Sequence, residues 1–299
     1  MSFNLFNAAC GAVAALAVPA AALGLADWVQ AGSQRDGLPL AETVEIPPGT
    51  FALPRPGQFL VQGRRVPAIV DQVEFSSPIR IMKHLVSRAD YRRCVDGGVC
   101  KPADAAVSSA DADLPVTGVS ALDAQAYAAW YSAATGETWR LPTDAEWAFG
   151  AAERFVGDPL VEADDPDNPA AAWIRRYRAE AASRRQPDPL PRKRGAYGAN
   201  ANGINDLAGN VWEWTSTCYV RVSLGEDGRS VEHATENCGI VVAEGRHRAY
   251  MPGFVRDGKS GACAVDTPPD NLGFRLVLDD AGPPVVARLW RLIRTAVPG

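Results

Sequence analysis

The sequence predicts an α+β domain in which strands open the chain and capped helices follow, and three observations carry that prediction. Its 299 residues are 47% hydrophobic and show no internal repeat, so one large core can form without splitting into halves. Val44 to Phe51 and Arg65 to Phe75 read as strands, with Val66, Ile69, Val70, Val73 and Phe75 apolar and Pro54, Pro56, Gly57 and Gly63 as punctuation. Ser87, Ser120 and Thr143 each stand where a helix would begin.

Residues Leu5 to Ala26 are almost uninterrupted apolar or small, and their alanine-rich end suits cleavage after Ala22 or Ala26. Residues 1–26 therefore read as a signal peptide or an uncleaved membrane anchor. Pro19 favours the former, while the lack of Lys or Arg before the apolar run keeps the latter open. Either assignment makes the protein periplasmic or otherwise exported. Cys10 lies in this run, but Asn7, Ala8 and Ala9 before it lack the leucine of a lipoprotein signal. A net charge of −5 and a pI near 5.3 give no electrostatic reason to propose nucleic acid as a partner.

The first helix is expected after Ser87, with Tyr91 and Val95 on its apolar face, and the second after Ser120, with Ala124, Tyr127, Trp130 and Tyr131 at helical spacing. Both aromatic stripes read as core. Thr143 with Glu146 three residues on forms a capping box behind Pro142, and Trp147 turns inward. From Asp158 to Arg194 an acidic DDPDNP run and an Arg- and Pro-rich stretch flank AAAWIRRYRAEAASRR, a surface insertion. Asp164, Asp165 and Asp167 there lack the ordered spacing of a calcium-binding loop and read as a solvated surface.

The run NANGINDLAGNVWEW, Asn200 to Trp214, packs glycines, amides, a carboxylate and two tryptophans into a non-repetitive order. Gly203 and Gly209 allow positive φ or close backbone approach, and Asn202, Asn205 and Asp206 favour local turns. Glu213, set between Trp212 and Trp214, puts a charge among aromatic rings, where it needs a partner. A hard cation such as calcium would suit it.

Without the leader, Cys94, Cys100, Cys218, Cys238 and Cys263 remain. Cys94 and Cys100 flank a small-residue loop that closes easily in an oxidising compartment. Cys218 and Cys238 enclose a polar excursion with little to bury, and a bond at its base would tie it down. Cys263 is then free or competes for Cys238, and is a candidate nucleophile or soft-metal ligand against a reading as inert packing.

Together with RLPTDAEWAFGAA (Arg140 to Ala152) and NLGFRLV (Asn271 to Val277), the Asn200 to Trp214 run resembles the formylglycine-generating enzyme, or sulfatase-modifying factor, domain family. IPPGTF (Ile46 to Phe51), KHLVSRADYRRCV (Lys83 to Val95) and PVTGVSALDAQAYAAWYSAATG (Pro115 to Gly136) are similar to its counterparts too. The resemblance implies one domain over residues 40–279, in a variant of the C-type-lectin fold with low regular secondary-structure content. It also implies a structural calcium bound through the backbone oxygens of Ala208, Gly209 and Val211 and the Glu213 side chain. It does not by itself imply oxidase chemistry.

Formylglycine-generating enzymes hold copper between two cysteines five positions apart. Here Arg256, Asp257 and Gly258 match the lead-in, but Cys263 stands alone and position +5 is Pro268. One thiolate cannot supply a two-coordinate Cu(I) site, so conversion of cysteine to formylglycine is not expected unless Cys218 or Cys238 supplies the second sulfur. Another branch of the fold uses histidine-bound iron, but His84, His233 and His247, with Glu232 or Glu244, show no converging spacing. Copper and iron are accordingly not expected.

Arg246, His247, Arg248, Arg256 and Lys259 cluster where the family places its substrate groove, which suggests a site for a peptide or anionic ligand; an ordinary Arg-rich loop explains the same residues. The cysteine-containing stretch that holds them, Glu236 to Pro269, with TSTCYVR before it, is similar to NirV-type members encoded beside copper nitrite reductases, which implies an exported accessory or maturation role in denitrification with that enzyme as partner. Residues 280–299 carry Val286, Leu289, Trp290, Ile293 and Val297 at helical spacing with Arg288, Arg291 and Arg294 interleaved. This tail would contact a membrane or pack on its own domain. The sequence thus favours an accessory module on a protein partner, against a metal-dependent oxidase or a lectin-like ligand binder.

Overall fold

In the computed structural model the described residues are 38–104, 111–157, 190–258 and 271–279, and every element lies in the unit Leu40–Gly299. The expected leader, the 158–189 part of the insertion, Cys263, Lys259 and the C-terminal tail lie outside them.

Both N-terminal strands break in two, at prolines. Val44 to Phe51 becomes β1 (Thr43–Ile46) and β2 (Gly49–Pro54), separated by Pro47 and Pro48. Between them and the second break lie β3 (Gln58–Val61) and β4 (Arg64–Val66), and Pro67 then parts β4 from β5 (Val70–Phe75). A proline has no N–H to give a ladder, so each pair of halves is free to join different sheets. β2 pairs only with β5. β1 joins β6 (Ile79–Met82) in a four-stranded sheet of order β1-β6-β12-β7, with β7 at Trp139–Arg140 and β12 at Val277–Leu278. A second sheet runs β10-β9-β8-β3-β4, from β8 (Trp212–Leu224), β9 (Val231–Glu244) and β10 (Arg248–Pro252), with β11 (Leu272–Gly273) parallel to β8.

Among the described residues the three α-helices start at the expected caps. Ser87 accepts the Asp90 amide at 3.1 Å to begin α1 (Arg88–Asp96). Ser120 and Asp123 form a reciprocal capping box for α2 (Ala121–Thr135), as Thr143 and Glu146 do for α3 (Asp144–Ala151). Each such cap contributes about 1 kcal/mol by satisfying amides that have no partner inside the helix. Glu146 also takes both Arg140 terminal nitrogens, at 2.6 and 2.7 Å, so the RLPTDAEW segment is architecture.

The aromatic stripes are core. Tyr91, Tyr127, Tyr131, Trp139 and Phe274 are all buried, with Tyr127 at 5.8 Å from both Tyr91 and Tyr131 and at 5.4 Å from Phe274. Trp147, wholly buried, anchors a second cluster with Ile46, Ile81, Ile204 and Leu207 between α3 and the 200–211 loop. That loop is folded tightly on itself. The Asn200 side chain donates to Gly150 O at 2.7 Å and accepts from the Ile204 amide at 2.9 Å, and Gly203 sits at φ +84°. Gly209 has ordinary φ but lets the Tyr197 ring lie where a Cβ would come within 2.9 Å.

Candidate functional site

Strand alternation puts a row of charges on one buried face of the large sheet. Cross-strand registers align Arg248 with Glu244 and Glu244 with Glu213. Residues directly opposite in antiparallel strands point the same way, whereas Trp212, Trp214 and Ala243 face the aromatic core. All three charged side chains are fully enclosed, so each requires compensation.

Glu213 finds it in Arg275. The guanidinium donates to both carboxylate oxygens, at 2.5 and 2.8 Å, and its remaining N–H groups go to the carbonyls of Met82 and Lys83, each at 3.2 Å, and Asn205, at 2.9 Å. Asp206, equally buried, accepts the Gly195 and Tyr197 amides at 2.6 and 2.9 Å. The buried Glu213 carboxylate thus has a guanidinium as its partner. The calcium expected at the Ala208, Gly209 and Val211 backbone oxygens would share the Glu213 carboxylate with Arg275.

Glu244 and Arg248 close onto α3. Arg248 donates to Asp144 at 2.8 and 3.0 Å, to Glu244 at 2.9 Å and to Pro54 O at 2.9 Å, and its guanidinium lies 5.7 Å from the Phe155 ring centre. Burial opposes its charge, but Asp144 and Glu244 outweigh that and hold its pKa above the usual arginine value. Burial, reinforced by the negative charge of Asp144, pushes the Glu244 carboxyl well above the ordinary range, and its Oε2 has no hydrogen-bond partner. One guanidinium thus serves both carboxyl groups. Arg248 was expected in a ligand-binding cluster; instead it is a buried tie between the sheet and the start of α3, because its register position faces inward.

The other members of that cluster separate. Arg246 lies 5.7 Å over the Trp212 ring and His247 meets the same ring edge-on at 5.6 Å, with His247 Nδ1 2.9 Å from Arg248 O. Both are half-buried at the surface. Arg256 is elsewhere, donating to Asp104 and Asp123, each at 2.8 Å. Burial pulls the Asp123 carboxyl upward, but Arg256 and Ser120 prevail and hold it below the usual range.

Both expected disulfides form, Cys94–Cys100 and Cys218–Cys238. Among the described residues, the grouping with metal-ligand spacing is Cys218, Glu236 and Cys238, whose two sulfurs are already joined to each other. His84 lies 3.4 Å from the Asn205 side chain, and burial, with Arg194 beside it, lowers its pKa. His233 is exposed beside Thr235 at 3.0 Å. Asp144 and Arg275 were missed as charge partners: Asp144 read as part of a cap, and Arg275 as one letter of the NLGFRLV motif. A buried arginine leaves a sequence signal only once Glu213 is recognised as needing a countercharge.

Comparison with known proteins agrees with this architecture. Residues 30–280 match the family described as "Sulfatase-modifying factor enzyme 1-like domain". Similar proteins include the "Inactive C-alpha-formylglycine-generating enzyme 2" of Mus musculus, 34% identical over 167 residues, which are 54% of this chain and 48% of that one. The "Formylglycine-generating enzyme" of Streptomyces coelicolor is 29% identical over 55% of this chain and 52% of its own. "Hercynine oxygenase" of Mycobacterium tuberculosis is 34% identical over 37% of this chain and 24% of its own. The chain spans about half the length of the first two of these curated relatives. Among solved structures, PvdO from Pseudomonas aeruginosa shares the fold at a TM-score of 0.50 and 18% identity, covering 80% of this chain and 95% of that one. On the family match, which takes in most of its length, the chain belongs to the sulfatase-modifying factor enzyme 1-like domain family.

Proposed function

We propose that this protein is an exported accessory or maturation factor of the formylglycine-generating fold, acting on a protein partner and not converting cysteine to formylglycine. The observation that carries the proposal is the fate of its sulfurs. Of six cysteines, four are joined in two disulfides, which leaves 6 − 4 = 2, Cys10 and Cys263. Cys10 belongs to the expected leader, and position +5 from Cys263 is Pro268. A Cu(I) bis-thiolate needs two sulfurs together, and the pairing of Cys218 with Cys238 removes the second sulfur that would rescue it. Similarity to proteins named as inactive formylglycine-generating enzymes supports the same reading.

Partner contact in this reading falls to Arg246 and His247 on Trp212, with Arg256 at a second point. Such an arrangement of cation over aromatic suits a peptide carrying carboxylates. The partner favoured by the TSTCYVR and C-terminal cysteine pattern is copper nitrite reductase, met outside the cytoplasm. The test is to incubate protein from its native compartment with Cu(I) and a cysteine-containing sulfatase peptide, and to assay aldehyde on the peptide by mass spectrometry. No aldehyde, together with retention of copper nitrite reductase on the immobilised protein that survives Cys263→Ser, is the expected result. Catalytic aldehyde formation abolished by Cys263→Ser would overturn the reading in favour of an oxidase.

A further inference from the structure

The outer part of β9, Val231 to Cys238, is a strand edge with nothing beside it among the described residues; at Gly239 the edge is taken, its carbonyl accepting the Gly253 amide at 2.9 Å. β10 pairs only with Ile240 to Glu244, and β8, on the inner side, has its own second edge taken by β3 at Arg221 to Leu224. Val231 to Gly239 are nine consecutive exposed residues, long enough for a full added strand. The hairpin is held in shape by Cys218–Cys238 at the point where its register shifts, so the edge is organised in advance. Natural proteins blunt such edges with charges, lysine above all, with proline or with bulges; VEHATENCG contains no lysine or proline, and its two glutamates are the charges it presents to a partner.

Its charge specifies the occupant. Glu236 lies on the face it shares with Ala234, Glu232 stands at a register shift where Leu224 pairs with Val231 and Ser223 with His233, and the segment carries no Lys or Arg. The opposite face presents His233, Thr235 and Asn237, with His233 and Thr235 3.0 Å apart. A second copy of the chain would bring the same two glutamates and no Lys or Arg from this segment, so it offers them no countercharge. We infer that the Val231–Cys238 edge of β9 docks an extended segment of a protein partner by strand addition, a segment with two basic residues spaced to meet Glu232 and Glu236. Main-chain hydrogen bonds supply the affinity and the two carboxylates the selectivity and register. This rests on the partner-directed reading but uses a surface separate from Cys263, Arg246 and His247.

The test uses the full chain and a labelled nine-residue peptide of alternating Thr and Val with Lys at its third and seventh positions, read by fluorescence polarisation. Saturable binding is expected, about tenfold tighter than for the same peptide with Glu in place of Lys, as two exposed cross-strand ion pairs give. Methylating alternate backbone amides along one edge of the peptide should abolish binding. The double variant Glu232→Lys with Glu236→Lys, checked for an unchanged melting temperature, should reverse the preference between the two peptides. Undiminished binding of the methylated peptide, a preference unmoved in the double variant, or concentration-dependent self-association of the chain without peptide binding would each overturn the inference. None of these outcomes alters the aldehyde assay, so failure here is distinguishable from failure of the accessory reading.

Discussion

Between Trp212 and Thr215 strand β8 lies buried against Val241 to Glu244 of β9, whereas beyond the Cys218–Cys238 bridge the same two strands run outward, with that part of β9 exposed throughout. The inner half places two acidic side chains, Glu213 and Glu244, directly opposite each other, an arrangement tolerated because Arg275 pairs with one and Arg248 with the other. The outer half also carries two glutamates, left in water along the open edge. One hairpin thus holds two regimes: inside, every charge is answered by a specific group because solvent is excluded, and outside, charge is free to select a partner.

Removing a countercharge from the inner half should have the largest effect. Arg275→Ala leaves Glu213 buried without compensation and is expected to cost about 3–5 kcal/mol in urea denaturation. A chelator should lower the melting temperature far less; an equal loss would mean that calcium, and not Arg275, balances Glu213. Next comes the junction. Replacing Cys218 and Cys238 together by serine opens a bridge of sequence separation 20 and should cost about 3 kcal/mol by loop closure. Amide exchange should quicken over residues 219–237 and stay slow over Val241 to Glu244, and uniform acceleration would erase the distinction between the halves.

Gly245→Ala tests packing at the inner end, since a Cβ there would lie 2.7 Å from the Trp212 ring. It should destabilise by about 1–3 kcal/mol. The titration of Glu244 is a smaller and continuous effect. Its folded pKa is raised, so above the ordinary carboxyl value of 4.5 the unfolded chain has lost a proton that the folded one keeps. Stability contributed by this group is complete below that value and falls as pH rises toward the folded pKa, by at most about 1.4 kcal/mol per pH unit. Glu244→Gln should remove that slope from the pH dependence of unfolding. Smallest of all, Glu232→Lys with Glu236→Lys in the outer half should change stability by less than about 0.5 kcal/mol, measured by the same denaturation; a larger loss would mean the outer charges are structural after all.

Much of this molecule is legible in its residue order because the relevant physics is local. Ser87, Ser120 and Thr143 cap helices through amides three residues away, and helical spacing turns Tyr127, Tyr131 and Trp147 inward, whereas the ladder breaks at Pro47, Pro48 and Pro67 lie inside stretches that read as single strands. The missing second cysteine at Pro268 is likewise a statement about spacing alone. The sequence also says that Glu213, set between two tryptophans, must have a partner. Which partner it has was decided by tertiary structure, because Arg275 is 62 residues away and Asp144 is 104 from Arg248. Whether Arg248 meets a ligand or the core depends on strand register, and which stretch of β9 stays open depends on how far β10 runs beside it. Such long-range pairings follow from how sheets and helices close over one another, and no local pattern encodes them.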